Sequence, residues 1–501
     1  MATIQVTVHQ PQGIKRLQGE TGSSLLQILR DNHISLFAPC GGNGICGKCR
    51  VRVKEMGVLT ACTYYPESDI EILLPGSKES SVLTAQHALT YSVPIMPGHL
   101  AMQASYPLGL AVDIGTTTIA FYLVSLITAS TLLTRGTLNP QSAYGADVIS
   151  RIQHCSEGKG LFEMQQSVIK AINKQIAEMA AFAGTTPDQF VKIVIAGNTT
   201  MLHILAGVDP TPIALAPFTP AFTEKKIIPA RELEINAADF AEVHLLPSIS
   251  AYVGSDIVAG LASLNPPDSV RNYLFLDIGT NGEMALVCGD KITCCATAAG
   301  PAFEGAKISC GMGAVSGAIS VFEGPGMFET IGNIAEPAGV CGSGLIDIVA
   351  YMVEHDVVNS DGNMEDHFPV YKTLQLNQQD IREVQLAKAA IRAGIEILLK
   401  EAGIGLNEID ALYLAGGFGN YISPESAMTI GLLPHEMAGK IIALGNTSGT
   451  GAVLSLKSEL FETRINSILE RTSYIELSTH DEFVMEFAMN MYFEKRPDQG
   501  L

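Results

Sequence analysis

Apolar and polar residues alternate at the start of the chain: "TIQVTV" predicts a strand, "QPQG" a turn, and the residues after it a second strand. "SSLLQILRDN" has the spacing of a short amphipathic helix, with Ser23 or Thr21 as its cap. From Arg50, "RVRVK" alternates basic and apolar positions, "EMG" turns, and "DIEILLP" reads as a later strand of the same sheet. Residues 1–78 therefore predict one small sheet with one helix, and residues 79–107, rich in Ser and Pro without a sustained period, predict a connector. Beyond it the pattern changes to apolar runs broken by tight turns. "LAVDIGTTTIAFYLV" (110–124) and "LFLDIGTNGEMALVC" (274–288) each read as a strand, a Gly-Thr turn and a second strand. "VKIVIAGNTTMLHILAG" (191–207) and "ALYLAGGFGNYI" (411–422) each lead from a strand through a glycine turn toward a helix. Long amphipathic helices precede both, at "LFEMQQSVIKAINKQIAEMAAFAG" and "IREVQLAKAAIRAGIEILLKEAG". The repetition predicts an internal duplication into two α/β lobes, 108–268 and 269–501.

Composition narrows the function classes. A chain of 501 residues with an apolar fraction of 47% is long enough for several packed cores. A formal charge of -20 with no basic stretch to offset it argues against nucleic acid or an anionic membrane surface as partner. Neither a Lys/Arg-led apolar leader nor an uncharged run long enough to span a bilayer is present, so the expected location is cytoplasmic.

Cysteine spacing supplies the first chemistry. "CGGNGICGKC" (40–49) fits G-x-x-x-x-G-K from Gly42 to Lys48, a phosphate-loop pattern, and also C-x5-C-x2-C through Cys40, Cys46 and Cys49. The phosphate reading needs Ser or Thr after the lysine and a helix beginning there; Cys49 and a strand stand in those places. The iron-sulfur reading needs glycines for a loop wrapped closely around sulfide, and Gly41, Gly42, Gly44 and Gly47 supply them. Its fourth thiolate is Cys62. Twelve residues separate it from Cys49, enough for a strand out, a turn at "EMG" and a strand back. These cysteines predict a [2Fe-2S] cluster in a β-grasp, ferredoxin-like domain. Cys155, Cys288, Cys294, Cys295, Cys310 and Cys341 match no ligand spacing and are expected to be buried, reduced thiols, with Cys288, Cys294 and Cys295 on a hairpin turning at Gly289-Asp290.

The duplicated D-I-G-T, at 113–116 and 277–280, supplies the second. Each turn offers amides and hydroxyls to phosphate oxygens while its aspartate faces a metal, so that Asp113 and Asp277 share one Mg2+ and its waters. The Gly416-Gly417 turn lets a flat adenine approach the backbone.

The order of two D-x-G-T turns, a Gly-Asn-Thr-Thr turn between them and a late Gly-Gly turn resembles the actin, sugar-kinase and heat-shock ATPase superfamily, a duplicated ribonuclease-H-like fold. Joined to a two-iron ferredoxin domain, the chain resembles the reductive activators of corrinoid proteins, with "NPQSAYGADVISRI", "YVGSDIVAG", "AGPAFEGAKISCGMGAVSGAI", "CGSGLIDIV" and "GNTSGTGA" as further matching stretches. The resemblance implies that Cys40, Cys46, Cys49 and Cys62 hold the cluster and that Asp113 and Asp277 are the catalytic Mg2+/water contacts. It implies phosphate contacts at Gly115, Thr116, Thr117, Gly279, Thr280 and Asn281, a turn at Gly197 and Asn198 in the same ATP site, and an adenosine floor at Gly416 and Gly417. Glu283 and Glu304 are candidate orienters of a water. It further implies ATP-dependent transfer of one electron from the cluster to Co(II) of a separate corrinoid protein, regenerating Co(I) for methyl transfer, with an external low-potential electron donor. The interval from the third to the fourth cysteine is shorter than the family pattern, and the linker domain of longer members has no counterpart, which leaves a homodimer open. "DNHISL" lacks the glycine of a D-x-H-x-x-G cobalamin motif, so the corrinoid is expected on another protein.

Three other functions compete. An activator of the 2-hydroxyacyl-CoA dehydratase type would carry a four-iron cluster on cysteines between the lobes. A small-molecule kinase would phosphorylate an added metabolite, and a redox-sensing electron carrier would have an inert ATPase half, against which the two aspartates argue.

Overall fold

The computed structural model describes residues 3–10, 13–32, 34, 36, 42, 44, 49–54, 56–73, 89–145 and 147–493. The N-terminal part is a five-stranded sheet in the order Gly13–Glu20, Thr3–Gln10, Ile70–Leu73, Arg50–Val53, Gly57–Thr60. The first two strands form an antiparallel hairpin, and Ile70–Leu73 enters the middle of the sheet, parallel to Thr3–Gln10 and antiparallel to Arg50–Val53. Alternation places Val6, Val8, Val51, Val53, Ile70 and Ile72 on the face covered by the helix Leu25–Asp31, whose Leu25, Ile28 and Leu29 complete the core. The cap of that helix is Ser24, whose side chain accepts from the Gln27 amide at 3.2 Å, rather than Ser23 or Thr21. The residue one step later has the extended backbone that an N-cap requires.

The rest of the chain is built on two six-stranded sheets. Across the first run Lys226–Pro229, Glu242–Leu245, Phe190–Gly197, Leu108–Ile114, Thr118–Ser125 and Thr131–Leu138. Across the second run Ile441–Gly445, Ala411–Ala415, Asn272–Ile278, Gly282–Cys288, Lys291–Thr297 and Thr472–Ile475. In each, a strand ending in D-I pairs antiparallel with the strand after it and parallel with a strand that comes much later in its lobe. The duplication extends to single residues: Asp113 lies opposite Ala196, followed by Gly197, and Asp277 lies opposite Ala415, followed by Gly416. All eight residues of Phe190–Gly197 and all five of Ala411–Ala415 are buried, because helices cover both faces.

Two helices join the lobes. Ser255–Ser263 and Thr447–Lys457 cross at backbone contact distance: a Cβ on Gly451 would lie 2.3 Å from the Ala259 carbonyl oxygen, and one on Gly260 would lie 2.8 Å from the Thr447 hydroxyl. Thr447–Lys457, although late in the chain, packs on the first sheet, where a Cβ on Gly109 would meet Leu456 at 2.9 Å. The described part of the connector is strapped to both helices. The Tyr91 amide donates to Ser263 O, the Met96 amide donates to Lys457 O, and the Arg464 guanidinium stacks 3.9 Å over the Tyr91 ring.

Candidate functional site

The hairpin out of Cys49 returns the chain to its start. Arg50–Val53 pairs with Gly57–Thr60, the Ala61 amide donates to Cys49 O at 2.8 Å, and the Cys62 amide donates to Cys49 Sγ at 3.4 Å. Both thiols are buried. The helix start is tied to the same corner, with the Leu26 amide on Ala61 O. Gly42 and Gly44 have φ of +100° and +77°, the left-handed region expected of a loop closing around a compact group. Cys40, Cys46 and Lys48 lie outside the described residues. The corner therefore fits the cluster: two buried cysteines joined by an N–H···S bond, with left-handed glycines in the loop before them. Of the other cysteines, Cys155, Cys294, Cys295 and Cys341 are buried, Cys288 and Cys310 are half-buried, and none forms a disulfide.

The two D-I-G-T turns meet across a buried cleft. Asp113 accepts from Asn446 Nδ2 and from Ser448 Oγ, each at 2.7 Å, so the first turn's carboxylate is oriented by the "GNTSGTGA" stretch from the far end of the chain. Burial raises its pKa, and these two hydrogen bonds oppose that rise. Asp277 is pushed up to about 7 by burial and by the charge of Asp113. It sits under the Gly-Gly turn: a Cβ on Gly416, whose φ is +80°, would lie 2.3 Å from Asp277 Oδ1, so only glycine fits there. The space beside Gly417 is open. Gly115 and Gly279 close their turns tightly, with Thr118 O 2.8 Å from a Cβ on Gly115 and the Gly279 amide donating to Asn281 O at 2.8 Å.

Asn198 faces the first turn and also caps a helix. Its Nδ2 donates to Thr116 Oγ1 at 3.2 Å while its Oδ1 accepts from the Met201 amide at 3.0 Å. Gly197 is tied to the crossing helix, its amide donating to Ser255 Oγ and its carbonyl accepting from it. Thr117 reaches the other lobe, its hydroxyl donating to Glu304 Oε1 at 3.0 Å. Burial raises the Glu304 pKa against the pull of the Thr280 and Thr117 hydroxyls and the Arg151 charge.

Two residues of the cleft, Asp256 and Arg151, escape a linear reading, and Glu283, a candidate water orienter in the sequence, joins them there. Asp256, at the start of a crossing helix, is pushed up to about 8 by burial and by the charges of Asp277 and Asp113. Glu283 stands directly opposite Asp277 on the neighbouring strand, where the first lobe has Ala120 opposite Asp113. Its Oε1 is buried without a hydrogen-bond partner, and burial with the Asp256 and Asp277 charges raises its pKa strongly. Arg151, fully buried, donates through Nη2 to Thr116 O at 2.5 Å and through Nε to Gly145 O at 3.0 Å. "YVGSDIVAG" and "NPQSAYGADVISRI" contain Asp256 and Arg151, but only the fold brings them to the turns. An acid-lined cleft with an orphaned carboxyl oxygen, glycine-only contacts and two facing turns fits a divalent cation with a nucleotide. Among the described residues, no three His, Cys, Asp or Glu side chains converge as direct ligands of a metal ion. None of the described helices is long and apolar enough to cross a membrane.

Comparison with known proteins agrees with this arrangement along the whole chain. Residues 9–71 match the 2Fe-2S iron-sulfur cluster binding domain, residues 108–265 the RACo middle region, and residues 271–499 the C-terminal domain of RACo, the ASKHA domain. The corrinoid activation enzyme RamQ of Eubacterium limosum is 32% identical over 418 residues, covering 77% of this chain and 70% of that protein. A [Co(II) methylated amine-specific corrinoid protein] reductase of Methanosarcina barkeri is 25% identical over 410 residues, 72% of each chain. The solved structure of a reductive activator for corrinoid, iron-sulfur protein superposes with a TM-score of 0.70 at 29% identity, covering 98% of both chains. With a [2Fe-2S] domain and an ATP-binding ASKHA domain in the same order and a relative of this identity across most of both lengths, the chain belongs to the RACo family of corrinoid-activating proteins.

Proposed function

We propose that this chain reactivates a corrinoid protein carried on a separate polypeptide, by ATP-dependent delivery of one electron from its [2Fe-2S] cluster to Co(II), which regenerates Co(I). The observation that carries the reading is the pairing on one chain of the Cys49–Cys62 corner with a closed, acid-lined cleft between two D-I-G-T turns. The cluster supplies a one-electron carrier near about -400 mV, and Mg-ATP supplies differential binding energy that favours one arrangement of the lobes. No phosphorylated product is required.

Within that reading Asp113 and Asp277 hold Mg2+ through its waters, a mode that needs few direct protein ligands. The turns at Gly115–Thr117 and Gly279–Asn281 cradle the phosphates, Asn198 orients Thr116, and Gly416-Gly417 floors the adenosine. Burial and the charges of Asp256 and Asp277 raise the Glu283 pKa, which suits a residue that exchanges a proton with a water in the cleft. Cys40, Cys46, Cys49 and Cys62 hold the cluster. An external low-potential donor refills it, the setting is the cytoplasm, a homodimer is compatible with the domain order, and the domains divide as 1–78, 108–268 and 269–501 about the connector.

Asp113→Asn and Asp277→Asn should each lower ATP hydrolysis by about a hundredfold, the scale for losing a preorganised charge-stabilising group, while iron and acid-labile sulfide stay at the wild-type level. Hydrolysis at the wild-type rate in both variants would remove the aspartates from the site.

A further inference from the structure

A cationic side chain lies between the cluster corner and the nucleotide cleft. Arg30, near the end of the helix Leu25–Asp31, packs beside the cluster loop: a Cβ on Gly42 would lie 3.6 Å and 3.8 Å from its two Nη atoms. On its other side the guanidinium donates through Nη2 to the Ala143 carbonyl and stacks 5.7 Å from the centroid of the Tyr144 ring. Ala143 ends the 3-10 helix Pro140–Ala143, whose cap is Asn139.

The segment around that short helix holds the first phosphate turn by three consecutive residues. Asn139 Nδ2 donates to Gly115 O at 2.8 Å, the Asn139 amide donates to Thr117 O at 2.9 Å, and Arg151, itself fixed by Gly145 O, donates to Thr116 O. With the carbonyls of Gly115, Thr116 and Thr117 all engaged, the turn is held in one conformation, the preorganisation an anion site needs. Tyr144 is further steadied by a stack on His154, 4.8 Å between centroids. Packed elements of this kind have few alternative arrangements, so the position of one end constrains the other.

We infer that Arg30 and Tyr144 are positioning residues that couple docking of the cluster domain to occupancy of the first phosphate turn. This rests on the reading that the Gly115–Thr117 turn holds ATP phosphates. The sign follows from the contacts: Arg30 braces the segment that braces the turn, so a docked cluster domain strengthens nucleotide binding. Linkage is reciprocal, so bound nucleotide strengthens docking by the same factor. ATP then holds the cluster in one place relative to the lobes.

The test is Mg-ATP titration of the full-length, cluster-loaded protein, joined to hydrogen exchange of residues 25–31 and 139–145 with and without nucleotide. Arg30→Ala and Tyr144→Ala should each weaken Mg-ATP affinity by about fivefold or more, the lower end of ordinary coupling between sites, and should abolish nucleotide-dependent protection of residues 25–31. Tyr144→Phe, which keeps the ring face, should retain both. Tyr144→Ala does not touch the cluster loop, so it separates coupling from damage to the cluster corner. Unchanged affinity in both alanine variants, or protection of 25–31 that persists in them, would overturn the coupling. Absence of Mg-ATP binding by the wild-type chain would instead overturn the nucleotide reading on which the coupling rests.

Discussion

Asp277 and Glu283 face one another across an antiparallel strand pair, with Asp113 and Asp256 close enough to raise the pKa of one or both. Like charges directly opposite are destabilising, so the cleft carries a cost that a divalent cation would relieve. The pH dependence follows. Asp256 is pushed up to about 8 and Asp277 to about 7, whereas an unfolded aspartate titrates near about 4. Between these limits the native state binds more protons than the unfolded chain, so the stability these groups contribute is complete below about pH 4 and is lost as pH rises toward about 8. The thermal midpoint of the nucleotide-free ATPase part should therefore fall from about pH 5 to about pH 8, and Asp256→Asn should flatten that fall. A decline of equal size in both proteins would mean that Asp256 does not ionise in this interval. Asp113 and Asp277 were legible in the sequence because the D-I-G-T turn occurs twice. Glu283 and Glu304 were legible as candidate water orienters from their place near the turns, but Asp256 and Arg151 were not legible as cleft residues, because a single buried charge acquires meaning only from what the fold places around it. Asn446 and Ser448 reach Asp113 from more than three hundred positions away, a distance no local pattern spans.

At the scale of elements, the joint between the lobes is the crossing of Ser255–Ser263 with Thr447–Lys457. Gly451 permits it, since a Cβ there would press on the Ala259 backbone at 2.3 Å and the neighbouring helix cannot yield as a flexible side chain would. Gly451→Val should cost about 1–3 kcal/mol of stability by overpacking and should impair ATP hydrolysis, with the visible spectrum of the cluster unchanged. Calorimetry and absorbance on one preparation check this. A variant as stable and active as wild type would place the crossing outside the nucleotide response. The hairpin from Cys49 to Cys62 was readable from alternation and a glycine turn, and the fold returns Cys62 to within hydrogen-bond reach of Cys49. Cys62→Ser should accordingly damage the cluster spectrum; an untouched spectrum would exclude Cys62 as fourth ligand. The helix cap, expected at Ser23 or Thr21, lies at Ser24, because all three have capping side chains and only backbone dihedrals distinguish them. The connector looked featureless because its order comes from bridges to Leu264 and Ser458, contacts made far along the chain.

The whole molecule joins a carrier of single electrons to a nucleotide cleft between two lobes. ATP shifts an equilibrium only by its difference in affinity between arrangements, so its effect belongs to the step in which the arrangement matters. A chemical donor should therefore reduce the cluster to the same extent with or without Mg-ATP, while docking of the cluster domain changes its rate of onward transfer. The central claim is tested by anaerobic mixing of the reduced protein with the corrinoid protein of the same cell, with the cobalt absorbance followed in the presence and absence of Mg-ATP. Co(I) should form only with Mg-ATP, an intact cluster, and both Asp113 and Asp277 in place. Co(I) formed equally without nucleotide, or no Co(I) with any corrinoid protein of that cell, would contradict the account.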